Sequence, residues 1–314
     1  MIFQEPPLVA PGASAKSGAG ADGAPPNWRG LATLGVLILG FGILLFARCM
    51  DGGLNHDEHQ FLAPAALLAR EGLLPYRDFP LFHLPNVIFV YATLERISSH
   101  LIFSAKAFSI LCSVTAAALI AFVAYRAAAL RGPIVGVVAA GLILTLLFFD
   151  PLFRTAVGKT WNHDFPTLCI LLALVCTIAN ARGCSTVLAL LAGIAAGLAL
   201  GARLTFAPAV VPLCAACLCF ESPWNARWRL LLAFGGGFLV SLLPIFWLCW
   251  TAPDAFLFDN FQFPRLRLLD PTDSRAHKTA VWWRKVRFFA KEVVLPGWPI
   301  FAAYLLIGLP PALR

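Results

Sequence analysis

The chain has 314 residues, 60% of them hydrophobic and 13% charged, with a formal charge of +8 and a mean hydropathy of +0.79. Soluble domains carry about 25% charged residues, so this composition excludes an ordinary soluble fold and makes the bilayer the solvent for most of the surface. The basic excess does not point to nucleic acid, because its Lys and Arg fall in loops between apolar runs, where they set topology or meet anionic lipid headgroups.

In chain order, residues 1–28 are rich in Pro, Gly, Ala and Ser and predict a disordered tail on the cytoplasmic side. The apolar run 31–47 is followed by Arg48-Cys49-Met50-Asp51 and not by a small-residue cleavage site. It predicts a retained span that also targets the chain to the inner (plasma) membrane. Further runs at 101–125, 132–149, 164–181, 186–202, 205–220, 229–250 and 293–313 bring the expected spans to about eight. Their lengths are close to the ~20 residues needed to cross ~30 Å of hydrocarbon. The expected fold class is therefore an all-α, multi-pass integral membrane protein, with 29–314 as one transmembrane domain. Gly193, Gly197 and Gly201 repeat every four residues and predict a flat helix face for close packing. Cys214-x-x-Cys217-x-Cys219 has a metal-like spacing, but without nearby His or acid it reads as packing between helices.

Two long polar segments, 48–100 and 251–292, interrupt the spans and belong at a membrane surface, since polar backbone does not lie exposed in hydrocarbon. The first predicts two short helices. One covers 61–71 and stops at Gly72; the other covers 85–97, a length more often interfacial than spanning. If 85–97 crosses, every later loop changes side. The basic residues do not decide between these topologies, because the short loops are nearly balanced and long loops obey the positive-inside rule less strictly.

The densest polar cluster is Asn55-His56-Asp57-Glu58-His59, followed by Pro75-Tyr76-Arg77-Asp78-Phe79 and His83-Leu84-Pro85. A second group, Lys159-Thr160-Trp161-Asn162-His163-Asp164, opens the span at 164. Ionisable residues at membrane edges are costly to place and are functional candidates for that reason. Structural roles compete at each position. Asp57 and Asp164 could cap the helices that follow them, although Pro64 moves the helix start after Asp57 toward Gln60 and weakens capping there. Arg77 and Asp78 could simply pair in a turn. His56 and His59, three residues apart, could hold a divalent metal together with Asp57 or Glu58; no other cofactor is implied.

Taken together, Asp57-Glu58, Gly72, Pro75-Tyr76-Arg77-Asp78-Phe79, and His83 with Pro85 resemble the GT-C-fold glycosyltransferases. The likeness is to the bacterial branch related to protein O-mannosyltransferases, lipid A aminoarabinose transferases and rhizobial lipopolysaccharide-core transferases. A looser match is Asn162-His163-Asp164-Phe165-Pro166, followed by the Gly-rich helix ending GARLTFAP. These features cover roughly residues 31–220. The resemblance implies that 85–97 lies flat as a juxtamembrane helix in the first outer loop, which puts Asp57 and Asp164 on one, periplasmic, face.

It further implies a sugar donor on polyprenyl phosphate and a glycan, lipid or protein acceptor. Asp57 maps to the general base and Asp164 to a second acid, with Glu58 able to share either role. Tyr76, Arg77, Asp78, His83 and His163 would bind substrate. The departing lipid phosphate would fall to Arg203 or to basic residues of the second outer segment, among them Arg265, Arg267, Lys278 and Arg284, whose competing role is to meet lipid headgroups. Family members usually run longer, so the sequence ending at Arg314 is expected to be a truncated or short form, or half of a split protein. The alternatives to transfer are a transporter or flippase, and a catalytically incomplete partner subunit.

Overall fold

A computed structural model describes residues 28–55, 57–180, 184–219 and 224–268, together with six positions between 283 and 291. Helices are the regular structure of the described residues, with no strand among them beyond an isolated bridge between Pro75 and Phe79. Among the described residues, three helices are long and apolar enough to cross a membrane: α1 (Trp28–Asp51), α4 (Leu101–Ala129) and α10 (Trp224–Thr251). Shorter apolar helices are α5 (Pro133–Phe149), α7 (Asp164–Asn180), α8 (Thr186–Ala202) and α9 (Ala207–Cys219), the last extended by a 3-10 turn from Leu204. Of the expected tail 1–28, Trp28 instead opens α1, and residues 1–27 lie outside the described residues, as does the expected span 293–313.

The α4–α5 hairpin shows why the chain turns where it does. Gly132 takes φ +136°, a conformation open to glycine, and Pro133 then begins α5 with its ring already set for a helix. Tyr125 of α4 fills the wedge between α1 and α5, where Gly30 and Gly136 leave room for its ring. Leu34, Phe41 and Leu45 of α1, Ala117 and Ala121 of α4, and Ala140 and Leu144 of α5 form one core on that seam.

A second core joins α7, α8, α9 and α10. Here α8 and α10 run parallel, with Gly193 against Phe234, Gly197 against Phe238 and Ser241, and Gly201 against Ile245. The glycine stripe works as its spacing predicts: at Gly193 and Gly197 the neighbouring backbone carbonyls stand where a Cβ would be. The return stroke between α8 and α10 is α9.

Short helices gather at one end of this bundle. They are α2 (His59–Ala66), continued by a π turn to Glu71, α3 (Asn86–Ile97), α6 (Pro151–Ala156), α11 (Pro253–Leu257) and α12 (Phe263–Leu268). Gly72 ends the π turn at φ +68°, the left-handed stop expected there. Pro64 sits sixth in α2, not in its first turn, and the helix starts at His59, one residue before the expected position. Lys106 Nζ, near the start of α4, donates to the carbonyls of Gly52 and Gly53 just beyond α1, at 2.8 and 3.3 Å. The chain therefore leaves α1 and enters α4 at the same end, and α3 does not carry it across in between. Val87, Ile88, Tyr91 and Ala92 bury one side of α3 in a third core with α2 and the end of α10.

Candidate functional site

Three segments meet at that end. In the first, the Asn55 side chain accepts the Asp57 N–H at 3.1 Å, forming a tight turn. Asp57 is exposed, and its Oδ1 accepts from the Gln60 side chain at 3.1 Å. The helix N-cap is Glu58, without a side-chain cap bond. The Glu58 side chain turns inward instead and is 1% exposed. Its Oε2 accepts the Asn55 N–H at 2.5 Å, and its Oε1 accepts the N–H and hydroxyl of Thr160 at 2.8 and 3.2 Å. Adjacent acids thus have opposite fates: one faces outward and the other is consumed as an internal clip.

The Pro75–Phe79 motif forms the second segment and builds a turn. Asp78 accepts the Leu74 N–H at 2.7 Å and pairs with Arg77 at 2.7 Å on the surface. That pairing holds the Asp78 carboxyl below, and the Arg77 guanidinium above, their ordinary values. Tyr76 adopts φ +67° and is buried, and its hydroxyl donates to the His83 carbonyl at 2.6 Å. Tyr76, Arg77 and Asp78 therefore present His83 without reaching the cavity themselves. The His83 ring stacks on Phe61 at 4.9 Å. Burial first, and then the Arg203 charge, push its pKa down, against an upward pull from Asp57.

The third segment runs from Val157 to Asp164. Gly158, at φ +69° and against Cys49, donates its N–H to Asp164 at 2.9 Å. Asp164 opens α7 but is 8% exposed, and its carboxylate is held by Gly158 and the Ser113 side chain. It does not line the cavity. His163 next to it does. Arg203, at the end of α8, brings Nη1 to 3.0 Å from His163 Nδ1 and 2.5 Å from Nε2. Burial, then Arg203, then His83 and Lys159 push the His163 pKa down to about 4. The ring is neutral near pH 7 and accepts from the guanidinium, which stays charged although burial lowers its pKa.

These segments enclose a cavity of about 500 Å³ whose walls include Asp57, Gln60, His83, Trp161, Asn162, His163, Arg203 and Asn260. Among the described residues that line it, Asp57 is the one carboxylate and Arg203 the one permanent cation. Trp161 Nε1 is buried and has no hydrogen-bond partner among the described residues. A carboxylate facing a cation and neutral donors suits an anionic group placed beside a hydroxyl that must lose its proton.

Of the residues picked from sequence, the cavity unites Asp57, His83, His163 and Arg203. Glu58 and Asp164 stand behind it. Arg265 is exposed on α12 and is not among the residues that line the cavity, and Arg267 lies in the same helix. His56 lies outside the described residues, and His59 opens onto a different cavity on the other side of α2. Among the described residues no three His, Cys, Asp or Glu side chains gather in a group able to hold a metal. Asn260 was missed. It enters because buried Asp259 accepts the Leu81 N–H at 2.9 Å and pins the π turn at Phe258–Gln262 to the second segment. No family model, no curated protein and no solved structure matches this chain.

Proposed function

We propose that this chain is an integral-membrane glycosyltransferase that moves a sugar from a polyprenyl-phosphate donor to a hydroxyl of a glycan, lipid or protein acceptor. The observation that carries it is that Asp57, Arg203 and His163 line one polar cavity at the end of an apolar helix bundle. In this reading the bundle has about eight spans, the N-terminus is cytoplasmic, and the cavity opens at the periplasmic face of the inner membrane.

The step is a single inverting displacement. Asp57 takes the proton from the acceptor hydroxyl as its oxygen bonds to the anomeric carbon. The carbon–oxygen bond to the phosphate breaks on the opposite face, and polyprenyl phosphate leaves with the electron pair. Arg203 meets that charge, with the Trp161 N–H and Asn260 as neutral donors. Supporting residues fix the geometry: Glu58 ties the Asp57 turn to the Thr160 segment, and Asp164 sets the loop that carries His163.

Asp57→Asn tests the reading. In the host organism both gene deletion and Asp57→Asn should remove one sugar from extracted lipopolysaccharide, glycolipid or glycoprotein. Unchanged glycans in both strains would sink it. A second reading, a catalytically incomplete partner subunit, draws on the fact that only one of the three candidate acids reaches the cavity. Under it, deletion changes the glycans and Asp57→Asn does not. A transporter is disfavoured because the polar cavity lies at the helix ends and not at mid-span.

A further inference from the structure

On the other side of α2 lies a larger cavity, of about 860 Å³, between the end of α1 and the start of α4. Its polar lining includes His59, Arg70, His100 and Lys106, and none of the described residues that line it is acidic. Lys106 is only 6% exposed, and two of its three ammonium donors go to Gly52 and Gly53, leaving one. Arg70 pairs through Nε, at 2.6 Å, and Nη2 with the Glu95 carboxylate, while its side chain is 61% exposed. Guanidinium N–H groups beyond that pair remain for a ligand.

The rest of the wall is apolar and opens sideways. Leu54, Ile102 and Phe103 are 54%, 48% and 57% exposed. Ile102 and Phe103 sit in the first turn of a candidate membrane span, so the cavity lies where a helix leaves hydrocarbon for headgroups. Cations at the polar end, an apolar slot beside them and no carboxylate among the described lining residues match an anionic lipid.

We propose that this cavity binds one anionic phospholipid, its phosphate on Arg70 and Lys106 and an acyl chain along Leu54, Ile102 and Phe103. The site is separate from the transfer site and does not depend on it. The two share α2, however, which turns Gln60 and Phe61 to one cavity and Leu62, Ala63 and Ala66 to the other. A lipid seated here braces the helix that follows Asp57.

The test is native mass spectrometry of the full chain in detergent, with palmitoyl-oleoyl-phosphatidylglycerol or -phosphatidylcholine added at equal concentration. One phosphatidylglycerol per chain should be retained, about fivefold or more in preference to phosphatidylcholine for each cation engaged. Ala63→Trp, which fills the cavity from an exposed position, should lose it. The paired variant Arg70→Gln/Glu95→Gln, which orphans no buried charge and adds no bulk, should keep the Tm and lose preference about fivefold. Equal retention of the two lipids, or an unchanged preference in the paired variant, overturns the proposal. So does wild-type retention in Ala63→Trp. Inorganic phosphate should not displace the lipid; displacement would assign the site to a free anion and overturn it as well.

Discussion

Glu58 accepts both the backbone N–H and the hydroxyl of Thr160, at 2.8 and 3.2 Å, across 102 residues of chain. This contact fastens the turn that displays Asp57 to the loop that displays Trp161, Asn162 and His163. The spacing of the cavity walls therefore depends on a residue that does not touch the cavity. With its oxygens taken up by three protein donors and its side chain buried, Glu58 has no face turned to the cavity.

Stability should separate the two adjacent acids. Glu58→Gln keeps an acceptor for Thr160 but points an NH₂ donor at the Asn55 N–H, leaving a buried donor unmatched. The expected loss is about 1–3 kcal/mol, read as a lower Tm of the detergent-solubilised chain. Asp57→Asn, at an exposed position, should stay within about 0.5 kcal/mol of wild type. Equal melting of the two variants would contradict the division of labour between clip and base.

The depressed histidines predict the direction of acid sensitivity. His163 has a folded pKa of about 4 against an ordinary 6.5, so between those values the unfolded chain binds the extra proton. Its contribution to stability is complete above pH 6.5 and is lost as pH falls toward 4. His83 shifts in the same direction. Thermal unfolding at pH 7 and pH 5 should show a lower Tm at pH 5, and His163→Gln should shrink that difference. Arg203→Gln should leave most of the His163 shift in place, because burial and not Arg203 is its first cause. A histidine NMR titration that returns His163 to its ordinary value in Arg203→Gln would show the order of causes to be wrong.

What was legible in the sequence was local. Gly72 as a helix stop, Gly193–Gly197–Gly201 as a packing stripe and the helix at 86–97 each follow from residue type and spacing within one or two turns. Asp57 and Glu58, by contrast, are chemically alike and adjacent. Which one faces outward is set by Thr160, far along the chain. Asp164 looks like an N-cap because it precedes an apolar run, yet its carboxylate is taken by Gly158, earlier in the same loop, and by Ser113 of α4. Asn260 carries no sequence signal at all. It reaches the cavity because Asp259 finds an unpaired N–H at Leu81, 178 residues away.

The glycine stripe yields a comparison with an internal control. Gly193→Ala sets a methyl against the Phe234 carbonyl, and backbone cannot step aside as a flexible side chain can. Overpacking of this kind costs about 1–3 kcal/mol. Gly235 and Gly236, on the same helix pair, have open space where a Cβ would go. Gly235→Ala should be neutral, or stabilising by about 0.5–1 kcal/mol through helix preference. The measurement is Tm for both variants, and a destabilising Gly235→Ala would mean that α10 is packed on that side as well.

The arrangement of ends is open to chemical labelling. Lys106 bonded to Gly52 and Gly53 requires that Asp57 and the 150–163 segment lie at one end of the bundle, with the α4–α5 turn at the other. Gln60 and Thr155 are exposed at the first end and Leu130, 90% exposed, at the second. In a Cys219→Ser background, which removes the exposed native thiol, Gln60→Cys and Thr155→Cys should share one reactivity toward an impermeant maleimide on intact cells, and Leu130→Cys the other. Gly158 is a poor reporter for this loop, since a side chain there meets Cys49. Opposite labelling of positions 60 and 155 would force α3 across the membrane and separate Asp57 from His163. Shared labelling from outside would place the cavity where a lipid-linked sugar on the outer leaflet can reach it; shared protection would put Asp57 and Arg203 in the cytoplasm and leave the polyprenyl-phosphate donor on the wrong side.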